Sequence, residues 1–187
     1  CHSNKEAQRG PILHGMETWY LIDQLEKFRS GVRGNLASNR SEYLMGIGAK
    51  KIQSDYELVY VANWFSEQDP LPAIRTIKGD IEDGQSVYVQ RCVSCHGENG
   101  EGNRQFVAPS LQRLEGWYFL EQMRKFRSGQ RGYHIKDIGG QSMAAASNEI
   151  SDRTLRNVVA YCIDAFGPEE EISERDRLVP RGSRRPF

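Results

Sequence analysis

The segment Cys92-Val93-Ser94-Cys95-His96 is the most informative stretch of this sequence. A C-x-x-C pair alone is compatible with a redox disulfide or half of a zinc site, but a histidine directly after the second cysteine is the signature of covalent heme attachment. Zinc would need a second pair of ligands at similar spacing, and none follows Cys95. We therefore expect Cys92 and Cys95 to form thioethers with the heme vinyl groups and His96 to be the proximal iron ligand.

A methionine downstream of this motif is the candidate for the opposite axial position. Met143 follows Gly139-Gly140-Gln141-Ser142, and we expect this segment to be a loop just before the last helix. A thioether ligand raises the reduction potential and fills the position that oxygen or peroxide would need. Methionine more often fills gaps in a core, and we interpret Met16 and Met123 in that way.

The chain repeats itself at an offset of 98 residues. The repeat aligns Trp19-Tyr20-Leu21 with Trp117-Tyr118-Phe119, Phe28-Arg29-Ser30-Gly31 with Phe126-Arg127-Ser128-Gly129, and Met45 with Met143. Repetition on this scale indicates a duplicated domain. The sequence therefore predicts an N-terminal domain at 1–68, a linker at 69–79 and a C-terminal domain at 80–168. Pro70 and Pro72 prevent a helix from continuing through the linker.

The beginning of the chain corresponds to the heme motif. Cys1 and His2 take the places of Cys95 and His96 once a four-residue shortening before Pro11 is allowed. We therefore expect Cys1 to be a thioether anchor, and His2 and Met45 to be the axial ligands of a second heme. The first cysteine of a full motif would precede Cys1, so we expect that upstream residues are missing from this sequence. Two alternatives stay open: the first unit has lost its attachment motif, or Cys1 is the acylated residue of a lipoprotein.

Both units are predicted to be all-α, with weak strand signals throughout. Apolar residues at three-residue steps predict helices over Trp19–Ser30 and Trp117–Ser128, each followed by a glycine. A last helix in each unit is predicted to start at Ser54 or Asp55 and at Ser151 or Asp152. A short helix over Asp80–Arg91 is predicted to precede the heme motif.

The composition excludes some classes of function. Lysine plus arginine and aspartate plus glutamate number 25 each, so the basic excess that favours a nucleic-acid partner is absent. No run approaches the roughly eighteen apolar residues that span a bilayer. In the tail at 169–187, Leu178-Val179-Pro180-Arg181-Gly182-Ser183 is typical of a thrombin cleavage site from an expression vector.

Four arginines occupy matched positions in the two repeats. Arg29 and Arg127, with Arg33 and Arg131, are candidate donors to heme propionates or across the domain interface, because a guanidinium pairs well with carboxylates. The alternative is that they are solvated cations near a helix C-terminus, where they favour the helix dipole.

Three residues have no twin in the other repeat. Cys162 is interpreted as a small buried hydrophobic residue, because no cysteine matches it in register. His14 and His134 are predicted to lie on the surface.

Residues 1–166 resemble the tandem diheme class I cytochromes c of the c-four type. The matching segments are Cys92-x-x-Cys95-His96-Gly97, Ala108-Pro109-Ser110-Leu111, Tyr118-x-x-x-Gln122-x-x-x-Phe126-Arg127-x-Gly129-x-Arg131, and Met143 before the last helix. Only the heme motif is highly specific by itself. The resemblance implies two class I cytochrome c domains related by a pseudo-twofold axis, each formed by a few helices around a covalently bound heme c.

The resemblance also implies an electron carrier rather than an enzyme, with no small-molecule substrate. It implies a periplasmic protein, soluble or associated with the membrane surface or a membrane complex, that works between respiratory donors such as a dehydrogenase and a terminal oxidase or reductase. One alternative is a diheme peroxidase-like enzyme, which needs an open sixth site, and the two methionines argue against it. Another is the cytochrome module of a larger oxidoreductase complex.

Overall fold

The computed structural model describes residues 2, 10–69 and 77–167. The helices are α1 (Thr18–Ser30), α2 (Arg40–Ala49), α3 (Asp55–Ser66), α4 (Ile81–Arg91), α5 (Val93–His96), α6 (Gly116–Arg127), α7 (Ile138–Ser147) and α8 (Asp152–Phe166), with a 3-10 turn at Arg104–Phe106. Within these residues the extended pairing is limited to one bridge between Asn103 and Ala108. The all-α prediction is therefore confirmed. Cys1, most of the predicted linker and the predicted tail lie outside the described residues.

The helices α1, α2 and α3 recur in the same order as α6, α7 and α8. Their ends follow the predicted signals, because Gly31 adopts a left-handed φ of 78° after α1 and Gly129 adopts a φ of 70° after α6. The hydroxyl of Ser54 accepts a hydrogen bond from the N–H of Glu57 at the start of α3, and that of Ser151 caps α8 in the same way. Of the two predicted capping residues in each repeat, the serine therefore performs the role.

The prediction of a loop around Met143 is wrong, since Met143 lies within helix α7 and its twin Met45 lies within α2. Glycines 139 and 140 have low helix propensity, which made the segment resemble a loop. The helix forms because the side chain of Asp137 accepts a hydrogen bond of 3.0 Å from the N–H of Gly140 and three alanines follow Met143. Each methionine is consequently held on a regular helix.

Helices α4 and α8 cross in close contact in the second repeat. A Cβ atom on Gly84 would lie 2.1 Å from the backbone oxygen of Asn157. The Asn157 side chain accepts from the N–H of Asp80 at 3.0 Å and donates to Asp83 at 2.7 Å. Cys162 on α8 is 0% exposed, which confirms its interpretation as a buried hydrophobic residue.

Helix α3 differs from its twin α8 in what covers it. The face of α3 that packs on α1 buries Leu58 and Ala62, whereas Tyr60 and Trp64 on its other side are exposed. The residues of α8 at the corresponding positions, Asn157 and Tyr161, face α4. Among the described residues of the first repeat, no helix takes the place of α4.

The two repeats dock through reciprocal hydrogen bonds. The N–H of Ile12 donates to the carboxylate of Glu115 at 2.8 Å, and the N–H of Ser110 donates to the carboxylate of Glu17, also at 2.8 Å. Both donors and both acceptors are 98 residues apart in sequence. The docking therefore has the reciprocity of a pseudo-twofold axis, with the same contact made twice.

Candidate functional site

His96 is a buried imidazole at the end of α5, with 5% of its surface exposed. Its Nδ1 lies 3.0 Å from the carbonyl oxygen of Pro109. Since a carbonyl can only accept, Nδ1 carries the proton and Nε2 keeps a free lone pair. Burial lowers the pKa of His96 below its ordinary value, despite the opposing effect of the Pro109 hydrogen bond. The ring is therefore neutral and able to bind a metal through Nε2.

His2 has the same surroundings in the first repeat. Its Nδ1 lies 2.9 Å from the carbonyl oxygen of Pro11, nine residues along the chain, whereas His96 and Pro109 are thirteen apart. The predicted four-residue shortening is therefore confirmed. Burial also lowers the pKa of His2, with a smaller opposing effect of its hydrogen bond to Pro11.

Each histidine shares an apolar space with the methionine predicted to oppose it. His2 and Met45 line a cavity of about 670 Å³ in the first repeat. His96 and Met143 line a narrower cleft of about 60 Å³ in the second, whose walls would have to separate to admit a porphyrin. Met16 and Met123 also border these two spaces, but they are buried in the two core clusters.

The three predicted heme-attachment residues of the second repeat share one turn of helix. The N–H groups of Cys95 and His96 both donate to the carbonyl of Cys92, at 3.2 and 2.9 Å. Cys92 is half-buried, Cys95 is exposed, and both are free thiols. Burial raises the pKa of the Cys92 thiol to about 11. In the first repeat, Cys1 lies outside the described residues.

The two predicted arginine pairs have different surroundings. Arg29 and Arg127 each form an ion pair with the first residue of the last helix of their repeat, Asp55 of α3 and Asp152 of α8. Neither arginine borders a cleft. The structure therefore does not bring this pair to the candidate sites. Arg33 lines the first cavity and Arg131 lines the second cleft.

Arg33 and Arg131 form a closed ring of hydrogen bonds with two glutamines, which we call the arginine–glutamine ring. Arg33 donates to Gln24 at 2.5 Å and to Gln122 at 2.9 Å. Arg131 donates to the same two oxygens, at 2.9 Å to Gln122 and 3.1 Å to Gln24. Each arginine thus bonds to its own repeat and to the other. Sequence analysis missed the role of the glutamines, although their 98-residue separation was the available signal.

The ring provides a test of whether the clefts fit a heme. The Nε atoms of Arg33 and Arg131 are buried and have no hydrogen-bond partner among the described residues. Since each arginine borders one cleft, these donors suit the carboxylate groups of a heme, which would otherwise be costly to bury. Together with apolar walls, a neutral imidazole and a thioether, the residues fit heme c in each repeat.

Each cleft is completed by a helix of the other repeat. Residues of α6 line the first cavity, and residues of α1 line the second cleft. Lys125 on α6 donates to the hydroxyl of Ser41 at 2.8 Å, and its twin Lys27 on α1 pairs with Asp137 at 2.8 Å. The two spaces therefore share a wall at the domain interface, formed by Tyr20, Gln24, Tyr118 and Gln122.

His14, which was predicted to lie on the surface, is half-buried. Its Nε2 atom is fully buried, and its ring lies against Trp64 and Phe65, with centroids 6.2 and 6.0 Å away. The other histidine without a twin, His134, is half-buried and accepts a hydrogen bond from the N–H of Lys136. Neither histidine borders either cleft.

Comparison with known proteins gives related matches for the whole chain and for its second half. The family described as "Cytochrome C oxidase, cbb3-type, subunit III" matches residues 79–162. Cytochrome c4 of Azotobacter vinelandii is 25% identical over 173 residues, which cover 86% of this chain and 80% of that protein. The cbb3-type cytochrome c oxidase subunit FixP of Bradyrhizobium diazoefficiens is 33% identical over 92 residues, covering 48% of this chain and 31% of that subunit.

A solved structure has the same fold. The structure of Acidithiobacillus ferrooxidans cytochrome c4, described as supporting a complex-induced tuning of electron transfer, aligns with a TM-score of 0.66 at 19% identity and covers 87% of this chain and 94% of that one. This likeness confirms the tandem helical fold. The sequence relatives, which are named as cytochromes, confirm heme c as the cofactor and an electron-carrier role. The comparisons give no support to the peroxidase alternative.

Proposed function

We propose that this chain, a heme c electron-transfer cytochrome related to cytochrome c4, passes single electrons through two sites with histidine and methionine as axial ligands. His96 and Met143 would hold one iron, and His2 and Met45 the other. The observation that supports this is the pairing itself, since each cleft is lined by one imidazole with a free Nε2 and by a helix-borne thioether, that of Met45 or Met143, which lies outside the buried core.

The side chains of the site have separate tasks. A heme bound there supplies one-electron oxidation and reduction of its iron. The carbonyls of Pro11 and Pro109 fix the orientation and tautomer of the two histidines. Met45 and Met143 would fill the sixth position and leave no place for a substrate, which suits a carrier that exchanges only electrons.

The interface offers a route between the two sites. Because the clefts share a wall that includes the two glutamines of the arginine–glutamine ring, electrons would pass from one repeat to the other without crossing solvent. Two adjacent sites would let one molecule relay an electron or store two.

The partners and location that we propose follow from the family that this chain matches and from the chemistry of heme attachment. We place this cytochrome between respiratory donors such as a dehydrogenase and a terminal oxidase or reductase, because its second half matches a family described as a cytochrome oxidase subunit. Heme attachment to paired cysteines takes place outside the bacterial cytoplasm in the families that this chain resembles, which supports a periplasmic location, in solution or at the membrane surface.

A second candidate function is the cytochrome module of a larger oxidoreductase complex. The observation in its favour is that the match to FixP is confined to about a third of that subunit. Size-exclusion chromatography of the protein from its native source would distinguish the two, since a free carrier elutes alone and a module co-elutes with its complex.

Mass spectrometry of the intact protein and an absorption spectrum of its oxidised form test the main proposal. We expect the mass of two hemes and a methionine-to-iron charge-transfer band for both. A mass with one heme would contradict the assignment of His2 and Met45. A high-spin band would indicate an open iron site and overturn the carrier proposal.

A further inference from the structure

A single buried carboxylate lies beside the arginine–glutamine ring. Glu42, which is 4% exposed, accepts a hydrogen bond of 2.7 Å from Arg33, and the positive charge of Arg131 also acts on it. We propose that Glu42, through these two guanidinium groups, sets the reduction potentials of both redox sites. This inference rests on the proposed function, because it requires a heme in each cleft.

The second repeat has no counterpart of Glu42. A Cβ atom on Gly34 would lie 2.5 Å from the backbone oxygen of Glu42, and a Cβ atom on Gly132 would lie 2.2 Å from that of Gly140. The backbones are therefore equivalent at these points, and the position of Glu42 is taken by Gly140 in the other repeat. The ring therefore holds two guanidinium groups with one carboxylate beside it.

The two lysines at the interface form ion pairs with other carboxylates. Lys27 pairs with Asp23 at 2.7 Å and with Asp137 at 2.8 Å. Lys125 pairs with Glu121 at 2.7 Å and is more distant from Glu42, at 3.8 Å. Apart from Glu42, these five groups carry two positive and three negative charges, and a substitution at Glu42 leaves all of them in place, so it changes only the charge of the ring and its counterion.

Arg131 is the unbalanced member of the ring. It donates to the neutral oxygens of Gln122, Gln24 and Tyr20, and no described carboxylate forms an ion pair with it. Two guanidinium groups and one carboxylate thus leave an excess of one positive charge. Because the ring is buried, salt and water screen this charge less than they would at the surface.

The sign of the effect follows from the charge on iron. The ferric state carries one more positive charge than the ferrous state, so positive charge nearby favours reduction and a carboxylate opposes it. Glu42 and Arg33 border the first cavity, and Arg131 borders the second. Removal of the Glu42 charge would therefore raise both potentials.

The test is a redox titration of the purified holoprotein, monitored by its visible absorption. We expect Glu42→Gln to raise both midpoint potentials, so that the ratio of reduced to oxidised heme at a fixed potential increases by roughly tenfold. Glu42→Asp keeps the charge and should restore values close to those of the unmodified protein. Glu26→Gln is the control for a lost carboxylate, because Glu26 is exposed on α1, and it should leave both midpoints unchanged.

Arg131→Gln provides an independent arm with the opposite sign, since loss of the unbalanced cation should lower both midpoints. If Glu42→Gln fails to hold heme, the midpoints of Arg131→Gln alone show whether the charges of the ring set the two potentials. Retention of the methionine-to-iron band separates a charge effect from loss of a ligand. Two hemes by mass with unchanged midpoints in either variant, or shifts of the same sign in both, would overturn the inference while the proposed function stands. Fewer than two hemes in the unmodified protein would overturn the proposed function itself.

Discussion

The carboxylate of Glu115 accepts a hydrogen bond of 2.8 Å from the backbone N–H of Ile12, which belongs to the other repeat. Glu115 is 2% exposed, and buried hydrogen bonds to charged groups are worth about 1.5–3 kcal/mol. We expect Glu115→Ala to lower the free energy of unfolding by about 2 kcal/mol in urea titrations. Glu17→Ala removes the reciprocal contact from a half-buried position and should lower the free energy of unfolding by less. An equal or larger loss in Glu17→Ala would contradict the expectation that the more deeply buried contact contributes more.

The axial role of Met143 can be separated from packing by comparing two methionines of the same cleft. We expect Met143→Leu to abolish the methionine-to-iron band of one heme, because leucine has no sulfur to bind iron. Met123→Leu, in the buried core, should keep that band and cost less than about 1.5 kcal/mol of stability, since the swap nearly conserves volume. The absorption spectra of the two oxidised variants distinguish the ligand from the core residue. Loss of the band in Met123→Leu alone would mean that Met123 is the ligand and Met143 the core residue.

The crossing of α4 and α8 should not tolerate a side chain at Gly84. A methyl group there would meet the backbone oxygen of Asn157 at 2.1 Å, so Gly84→Ala is expected to destabilise the protein by about 1–3 kcal/mol. Gly48→Ala is the matched control on α2, because nothing lies within 4 Å of the added methyl. It should stabilise by up to about 1 kcal/mol through helix propensity. The midpoint temperatures of thermal unfolding of the two variants are the measurement. A higher midpoint for Gly84→Ala than for Gly48→Ala would mean that the register between α4 and α8 is wrong.

The ion pair between Arg33 and Glu42 predicts loss of stability in acid. Burial alone would raise the pKa of Glu42, but the charge of Arg33 and its hydrogen bond outweigh burial and lower the pKa below the ordinary value. A carboxyl group with a lowered pKa stabilises the fold above its unfolded pKa, and this contribution is lost as the pH falls through the folded pKa.

We therefore expect the free energy of unfolding to fall as the pH drops below 4.5, the ordinary pKa of this carboxyl group, and to fall less steeply in Glu42→Gln. Urea titrations above and below this pH, with Glu26→Gln as the exposed counterpart, provide the measurement. Equal acid sensitivity of the unmodified protein and Glu42→Gln would mean that other carboxylates cause the loss.

The sequence predicted those features that depend on local chemistry. The Cys92–His96 motif indicated heme by itself, and the serine caps and terminal glycines marked the helices because these signals act within a few residues. The 98-residue repeat then extended each assignment from one half to the other. It also paired His2 with Pro11 in the same way as His96 with Pro109.

Features that depend on tertiary packing could not be predicted in this way. The helix around Met143 forms despite its two glycines because Asp137 caps it. His14 is half-buried because Trp64 and Phe65 lie against its ring. The arginine–glutamine ring depends on contacts between residues of the two repeats. No periodicity within one repeat could distinguish Arg33 at the interface from Arg29, which pairs with Asp55.

Each cleft is partly lined by a helix of the other repeat, so the two repeats constrain each other's evolution. A substitution on α1 reaches the second cleft as well as the first repeat's own core, and one on α6 does the reverse. Neither half of the gene is therefore free to drift alone, because each half contributes side chains to both clefts.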